Sequence, residues 1–313
     1  MTPLYPGDQV DHFRLEELIA RGGMASIFRA TDLDTGTQVA IKVPHPEAEC
    51  DPVMFDRFHR EGRICQDMDH PGIVKVIRQP PHRRVYMVME WVEGRLLRNV
   101  LAEEGPLPEK RALNIAIAIC DALEYIHGRG VVHRDLKPEN IMIGPGDSVK
   151  LIDFGVAARA GAKRMTFGKL SQLGTPDYIA PEQVKGKRGD ARCDIYALGV
   201  TLYEMLTAAV PFRGENPFAV MNARLVNDPI PAREANPDIS PQIEQILNKA
   251  LERDEARRYA SASDFAVDLA QPEMVRITQR PAIQPTHRRV LMFSGLAAIP
   301  AIIFGLMMLA SHQ

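Results

Sequence analysis

The run His133-Arg134-Asp135-Leu136-Lys137-Pro138-Glu139-Asn140, with Asp153-Phe154-Gly155 thirteen residues after Asn140, constrains this chain more than any other feature. The first run reads as a loop behind a helix. It offers a carboxylate, a lysine two residues on and an asparagine five residues on. A strand-like run, Val149-Lys150-Leu151-Ile152, then delivers a second carboxylate. A fold that uses these groups together must bring the loop and the strand end to one place. Phosphoryl transfer needs this inventory: an acid to orient and deprotonate the attacking hydroxyl, a cation on the moving phosphate, and oxygen ligands for Mg²⁺.

The length, 313 residues, allows one large or two medium domains with a sizeable core. Charges nearly balance, 38 Lys+Arg against 40 Asp+Glu, so nucleic acid is not an expected partner. Cys50, Cys65, Cys120 and Cys193 lie far apart, form no CxxC pair, and read as reduced core thiols. The histidines show no HExxH arrangement, and no GxxxxGK[ST] run supports a P-loop enzyme. Residues 1–11 lack the basic and apolar regions of a signal peptide.

Strand patterns dominate residues 13–90: residues 13–20 and 26–31 flank a glycine pair, Asp34-Thr35-Gly36 makes a turn, and Val39-Ala40-Ile41 is apolar. Residues 74–77 and 85–89 read as two more strands. Before them, residues 54–68 carry Phe55, Phe58, Ile64 and Cys65 at helical spacing. From Pro108 the pattern turns helical, with Leu113, Ile117, Cys120, Ala122, Leu123 and Ile126 on a wide apolar face. Further helices are expected at residues 193–206, 216–226, 241–251 and 261–269.

Taken in order, these motifs resemble those of eukaryotic-type (Hanks-type) Ser/Thr protein kinases, in a bacterial-like, membrane-anchored form. The resemblance covers residues 13–269. It implies an α+β, bilobal protein-kinase fold with a small β-rich N-lobe, a larger helical C-lobe and one C-terminal transmembrane helix. The implied domains are a kinase domain at 13–270 (N-lobe 13–92, C-lobe 93–270), a juxtamembrane linker at 271–289 and a transmembrane helix at 290–310. The implied reaction transfers the ATP γ-phosphate to Ser or Thr hydroxyls of proteins, with Mg²⁺ (or Mn²⁺). A membrane-tethered pseudokinase scaffold would lack at least one of Lys42, Glu61, Asp135, Asn140 or Asp153, and none is missing. A small-molecule kinase is disfavoured by Gly174-Thr175-Pro176-Asp177-Tyr178-Ile179-Ala180-Pro181-Glu182, which resembles the GTPxYxAPE segment.

By the same resemblance, Asp135 is the catalytic base, Lys137 the γ-phosphate contact, and Asn140 and Asp153 the metal ligands. Lys42 would hold the α and β phosphates and pair with Glu61. The nucleotide lid would be residues 20–27, with Ala20, Gly22, Gly23 and Ile27 facing ATP. It departs from GxGxxGxV, because Ala20 and Ala25 replace two glycines, and the loop should be stiffer for it. Ala40 would line the adenine pocket, Met89 would guard its back, and the backbones of Glu90 and Val92 would pair with adenine. Thr175 would sit near the acceptor hydroxyl. Glu182 would pair with Arg258, and Asp194 would brace the catalytic loop. Thr166 and Ser171 lie in a basic stretch with Arg159, Lys163, Arg164 and Lys169, and are the expected autophosphorylation sites, facing Arg134.

Residues 290–310 carry no charge over 21 positions behind His287-Arg288-Arg289. At about 1.5 Å per residue this run would cross a hydrocarbon core of roughly 30 Å. A single-pass tail anchor is expected, with the kinase domain cytoplasmic. Ala297, Ala301 and Gly305 form a small-residue ridge that suits a homodimer. An opposing protein phosphatase is implied by the resemblance.

Overall fold

The computed structural model describes residues 3–79, 84–153, 158–159 and 176–278. Side-chain alternation organises the first lobe. Strands β1 (Gln9–Val10), β2 (Phe13–Arg21), β3 (Ala25–Asp32), β4 (Gln38–Pro44), β5 (Val76–Ile77) and β6 (Met87–Glu90) form one antiparallel sheet, ordered β1-β2-β3-β4-β6-β5. Along β4, Val39, Ile41 and Val43 join Phe13, Leu15, Phe28, Ala30 and Val88 in a small core. The period of two then puts Ala40 and Lys42 on the other face. Along β6 the same alternation separates Val88 from Met87 and Met89, which belong to the larger core.

Helices α1 (Pro46–Cys50) and α2 (Pro52–Gln66) cross over between β4 and β5. Pro52 starts α2, and the Asp51 carboxylate accepts hydrogen bonds from the Val53 and Met54 amides. Phe58, Ile64 and Cys65 are buried along α2, and so is Glu61. The strand expected at residues 74–77 shortens to Val76–Ile77, and the Val74 amide donates instead to the Leu151 carbonyl in the second lobe. Cys65, Cys120 and Cys193 are buried thiols as expected, whereas Cys50 is exposed at the end of α1 and belongs to no core.

The second lobe opens with β7 (Arg95–Leu96) and α3 (Leu97–Glu104), then α4 (Glu109–His127) and the short strands β8 (Val131–Val132), β9 (Ile141–Ile143), β10 (Val149–Leu151) and β11 (Ala158–Arg159). Helices α5 (Pro181–Val184), α6 (Arg192–Thr207), α7 (Pro217–Val226), α8 (Ala232–Ala235), α9 (Pro241–Ala250) and α10 (Ala262–Ala270) complete it. Every residue of α6 from Cys193 to Leu206 is buried. A helix enclosed on all sides is an interior axis. Helices α4 and α9 pack on α6, and α10 covers α4. The β-rich and helical lobes agree with the expected α+β bilobal fold.

No helix among the described residues is long and apolar enough to cross a membrane. The expected anchor at 290–310 lies outside the described residues, and the expected linker is described only to residue 278, with a single 3₁₀ turn at Pro272–Met274.

Gly94 joins the lobes, between β6 and β7, at φ +148°. A Cβ there would stand 2.3 Å from the Ile143 carbonyl oxygen, whereas a Cβ on Gly23 would meet nothing within 4 Å. Gly94→Ala should therefore lower the unfolding free energy by at least about 1–3 kcal/mol. Gly23→Ala should stay within about 0.5 kcal/mol. Urea unfolding midpoints of the two variants check this.

Candidate active site

Lys42 reaches the site because β4 turns it away from the small core, and α2 then presents Glu61 opposite. Nζ of Lys42 lies 2.6 Å from Glu61 Oε1 and 3.4 Å from Asp153 Oδ1. The lysine is 6% exposed and the glutamate 3%. Removing two charges from water is costly unless they meet, and here they meet. Burial works to discharge Lys42, but Asp153 and Glu61 outweigh it and hold the ammonium above its ordinary value. Burial pushes the Glu61 carboxyl up, with Lys42 pulling against it. Asp153 arrives from the end of β10 and stays partly open to solvent. Two carboxylates far apart in the chain, Glu61 and Asp153, thus share one cation, Lys42.

The catalytic-loop candidates cluster beside them. Lys137 Nζ lies 2.8 Å from Asp135 Oδ2 and 3.0 Å from Oδ1. The Asn140 side-chain amide donates to the Asp135 carbonyl at 2.7 Å and to its Oδ2 at 3.1 Å. Those bonds commit the amide nitrogen and leave the Asn140 carbonyl oxygen as the hard donor it can offer a cation. With the Asp153 carboxylate this is an oxygen set suited to Mg²⁺ or Mn²⁺.

A buried carboxylate holds the loop. Asp194, at the start of α6, accepts the His133 amide at 2.8 Å and the Arg134 amide at 2.7 Å, and pairs with His127 Nε2 at 2.8 Å. Arg134 has φ +66°, a left-handed conformation that a side chain disfavours by about 1–2 kcal/mol. Two amides aimed at one carboxylate offset that cost. Burial would raise the Asp194 carboxyl, but His127 and the amides outweigh it and hold it below its usual range. The Arg134 guanidinium donates to the Arg188, Gly189 and Val132 carbonyls.

In the lid, Ala20 pairs with Ile27 and Arg21 with Ser26, and the Gly22 amide donates to the Ala25 carbonyl at 2.9 Å, closing the β2–β3 hairpin. Ala20, Gly22 and Gly23 are exposed, and Ile27 and Ala40 are half-buried. Met89 is buried at the end of β6. The Glu90 amide donates to the Lys75 carbonyl, so a nucleotide contact from the Glu90 backbone would come from its carbonyl. Val92 is half-buried just beyond.

Glu182 and Arg258 meet in a two-point bond, 2.7 Å at each nitrogen, and both are buried. Phe154, Gly155, Thr166, Ser171 and Thr175 lie outside the described residues. Several participants carry no motif. Lys150 Nζ lies 2.6 Å from Glu90 Oε1, tying the interlobe link to β10. Arg98 of α3 bonds Glu139, Glu204 and the Tyr178 hydroxyl. Arg224 of α7 bonds the Pro176 and Asp177 carbonyls. A regular spacing of Leu97, Val100 and Leu101 was the one available signal for α3, and nothing in the chain marks Arg224 as buried.

The model of the protein kinase domain matches residues 13–268. Serine/threonine-protein kinase PknB of Mycolicibacterium smegmatis is 36% identical over 297 residues, covering 93% of this chain and 47% of that protein. PknB of Mycobacterium tuberculosis H37Rv is 35% identical over 298 residues, covering 93% and 48%. A probable serine/threonine-protein kinase PknB of Corynebacterium glutamicum is 38% identical over 271 residues, covering 83% and 42%. The chain therefore spans about half the length of the curated relatives it matches. Among solved structures, the Mycobacterium tuberculosis PknI kinase domain (C20A mutant) superposes with a TM-score of 0.67 at 25% identity, covering 87% of this chain and all of that one.

His133 is fully buried, and its Nδ1 accepts the Asp135 amide at 3.3 Å. Burial, outweighing the nearby carboxylates, lowers its pKa from 6.5. The unfolded chain then binds the proton more readily than the folded one. The contribution to stability is complete above pH 6.5 and is lost as pH falls below it. Wild type should lose up to about 1.4 kcal/mol per pH unit there relative to His133→Asn, read from urea midpoints between pH 7.5 and 5.

Proposed function

The chain belongs to the protein kinase family, and from that premise we propose that it is a Ser/Thr protein kinase, ATP + protein-Ser/Thr → ADP + phosphoprotein. The kinase domain is read as residues 13–270, divided at 92/93. The observation that carries the reading is the convergence of Lys42, Glu61 and Asp153 within hydrogen-bonding reach beside the Asp135–Lys137–Asn140 cluster.

In this reading Asp135 takes the proton of the acceptor hydroxyl as it attacks. Lys137, 2.8 Å from that carboxylate, offers its charge to the phosphoryl group in flight. Lys42 positions the α and β phosphates and is itself aimed by Glu61. Asn140 and Asp153 would hold Mg²⁺ or Mn²⁺, which would supply positive charge to offset that of the phosphates. The lid residues Ala20, Gly22, Gly23 and Ile27 cover the phosphates, and Ala40, Glu90 and Val92 take the adenine. Lys137 and the Gly174 to Glu182 segment favour Ser/Thr acceptors on proteins, with Thr175 beside the hydroxyl. The Glu182–Arg258 pair supports that segment from below.

Autophosphorylation at Thr166 or Ser171, reversed by a protein phosphatase, is part of the same proposal. The uncharged residues 290–310 would anchor the chain in a single pass, 271–289 would link to it, and the Ala297, Ala301, Gly305 ridge would pair two copies. The kinase domain would then lie on the cytoplasmic side, where the basic residues 287–289 stay.

Asp135→Asn should lower kcat by roughly 10²–10⁴-fold, the range for lost acid–base help. Its unfolding midpoint should be unchanged. Steady-state phosphate transfer to a protein substrate checks this, and near-normal turnover would remove Asp135 from the chemistry.

A further inference from the structure

Arg224 is an expensive residue in its position. It is 1% exposed and is the largest fully buried side chain among the described residues. Among the described residues no carboxylate lies within ion-pair distance of it. A guanidinium so placed costs several kcal/mol in desolvation, and a leucine or methionine would fill the space more cheaply. Its two terminal nitrogens are nonetheless directed: Nη1 donates to the Pro176 carbonyl at 2.6 Å, and Nη2 donates to the Asp177 carbonyl. The rings of Phe212 and Tyr196 flank it, with centroids 5.5 and 5.9 Å away.

The two carbonyls belong to the 3₁₀ turn Pro176–Tyr178, on which α7 packs. The other end of that turn is pinned separately, where the Tyr178 hydroxyl sits between Arg98 and Glu204. Helix α7 is itself firmly started, with the Asn216 side chain accepting the Ala219 amide and Pro217 in the first turn. A planar fork on two successive carbonyls fixes the direction of the peptide between them, which a point charge on a flexible stem would not do.

We propose that Arg224 is a positioning residue for the protein substrate, holding the Pro176–Tyr178 turn in the orientation that lays an acceptor segment against Asp135. The inference rests on the reading of this chain as a protein kinase. It goes beyond that reading because it separates two halves of the site. Nucleotide binding depends on Lys42, Glu61 and Asp153, and substrate laying depends on α7. A displacement of about 1 Å in a positioning element can cost on the order of 100-fold in rate.

The test uses the full chain and a serine peptide selected on the wild-type enzyme from an arrayed library. Arg224→Met and Arg224→Lys are compared with Phe212→Leu, which removes a flanking ring but neither carbonyl bond. Arg224→Met should raise KM for the peptide by about 10–100-fold, while KM for ATP and peptide-independent ATP hydrolysis stay within about twofold. Arg224→Lys, which can reach one carbonyl, should fall between, and it decides the matter if Arg224→Met does not fold. Phe212→Leu should leave peptide KM within about twofold of wild type. An unchanged peptide KM in Arg224→Lys would overturn the proposal. So would a parallel loss of ATP binding and hydrolysis, which marks a general packing role. A wild-type chain that phosphorylates no peptide would overturn the kinase reading itself, and that outcome is distinguishable because it appears before any variant is made.

Discussion

One buried cation organises the first lobe. Lys42 is removed from water by the alternation of β4, and the fold is tolerable only if carboxylates come to it. Glu61 does so from α2, and Asp153 does so from the end of β10 in the second lobe. The requirement is mutual. If α2 rotated away, Glu61 would lose its cation and Lys42 would keep only the longer contact to Asp153. The register of the sheet, the seating of α2 and the approach of the Asp153 strand are therefore one condition expressed three times.

The second lobe repeats the device with a buried anion. Asp194 stands at the head of an enclosed helix and gathers two backbone amides and an imidazole. It stabilises the left-handed Arg134 peptide and so sets where Asp135 stands. Charge pairing in both lobes serves orientation more than net stability, since a buried pair is often no more stable than an apolar replacement. Orientation is what phosphoryl transfer requires, because positioning and electrostatics supply most of its catalysis.

The sequence made the chemistry legible and left the supports obscure. Asp135, Lys137, Asn140 and Asp153 stand in short motifs whose spacing carries meaning, and residues 13–20, 26–31 and 108–126 show clean periodicities. Lys42 and Glu61 were legible only through the order of motifs around them. Arg224, Arg98 and Lys150 look like ordinary surface charges in one dimension, and the burial of Arg224 and the partners of all three arise from which elements happen to meet. Helix α3 was hidden because its apolar stripe is only Leu97, Val100 and Leu101 among charges. Cys50 went the other way: an apolar-seeming residue type at the end of a short helix, with no core to enter.

The claim on which the account stands is transfer of phosphate to a protein hydroxyl. It is tested most directly by incubating the chain with γ-labelled ATP and Mg²⁺, with a protein substrate, and identifying the labelled residues after acid hydrolysis. The account predicts phosphoserine and phosphothreonine from the wild type and none from Asp153→Ala. Label confined to released phosphate or to a small molecule, or equal labelling by Asp153→Ala, would contradict it.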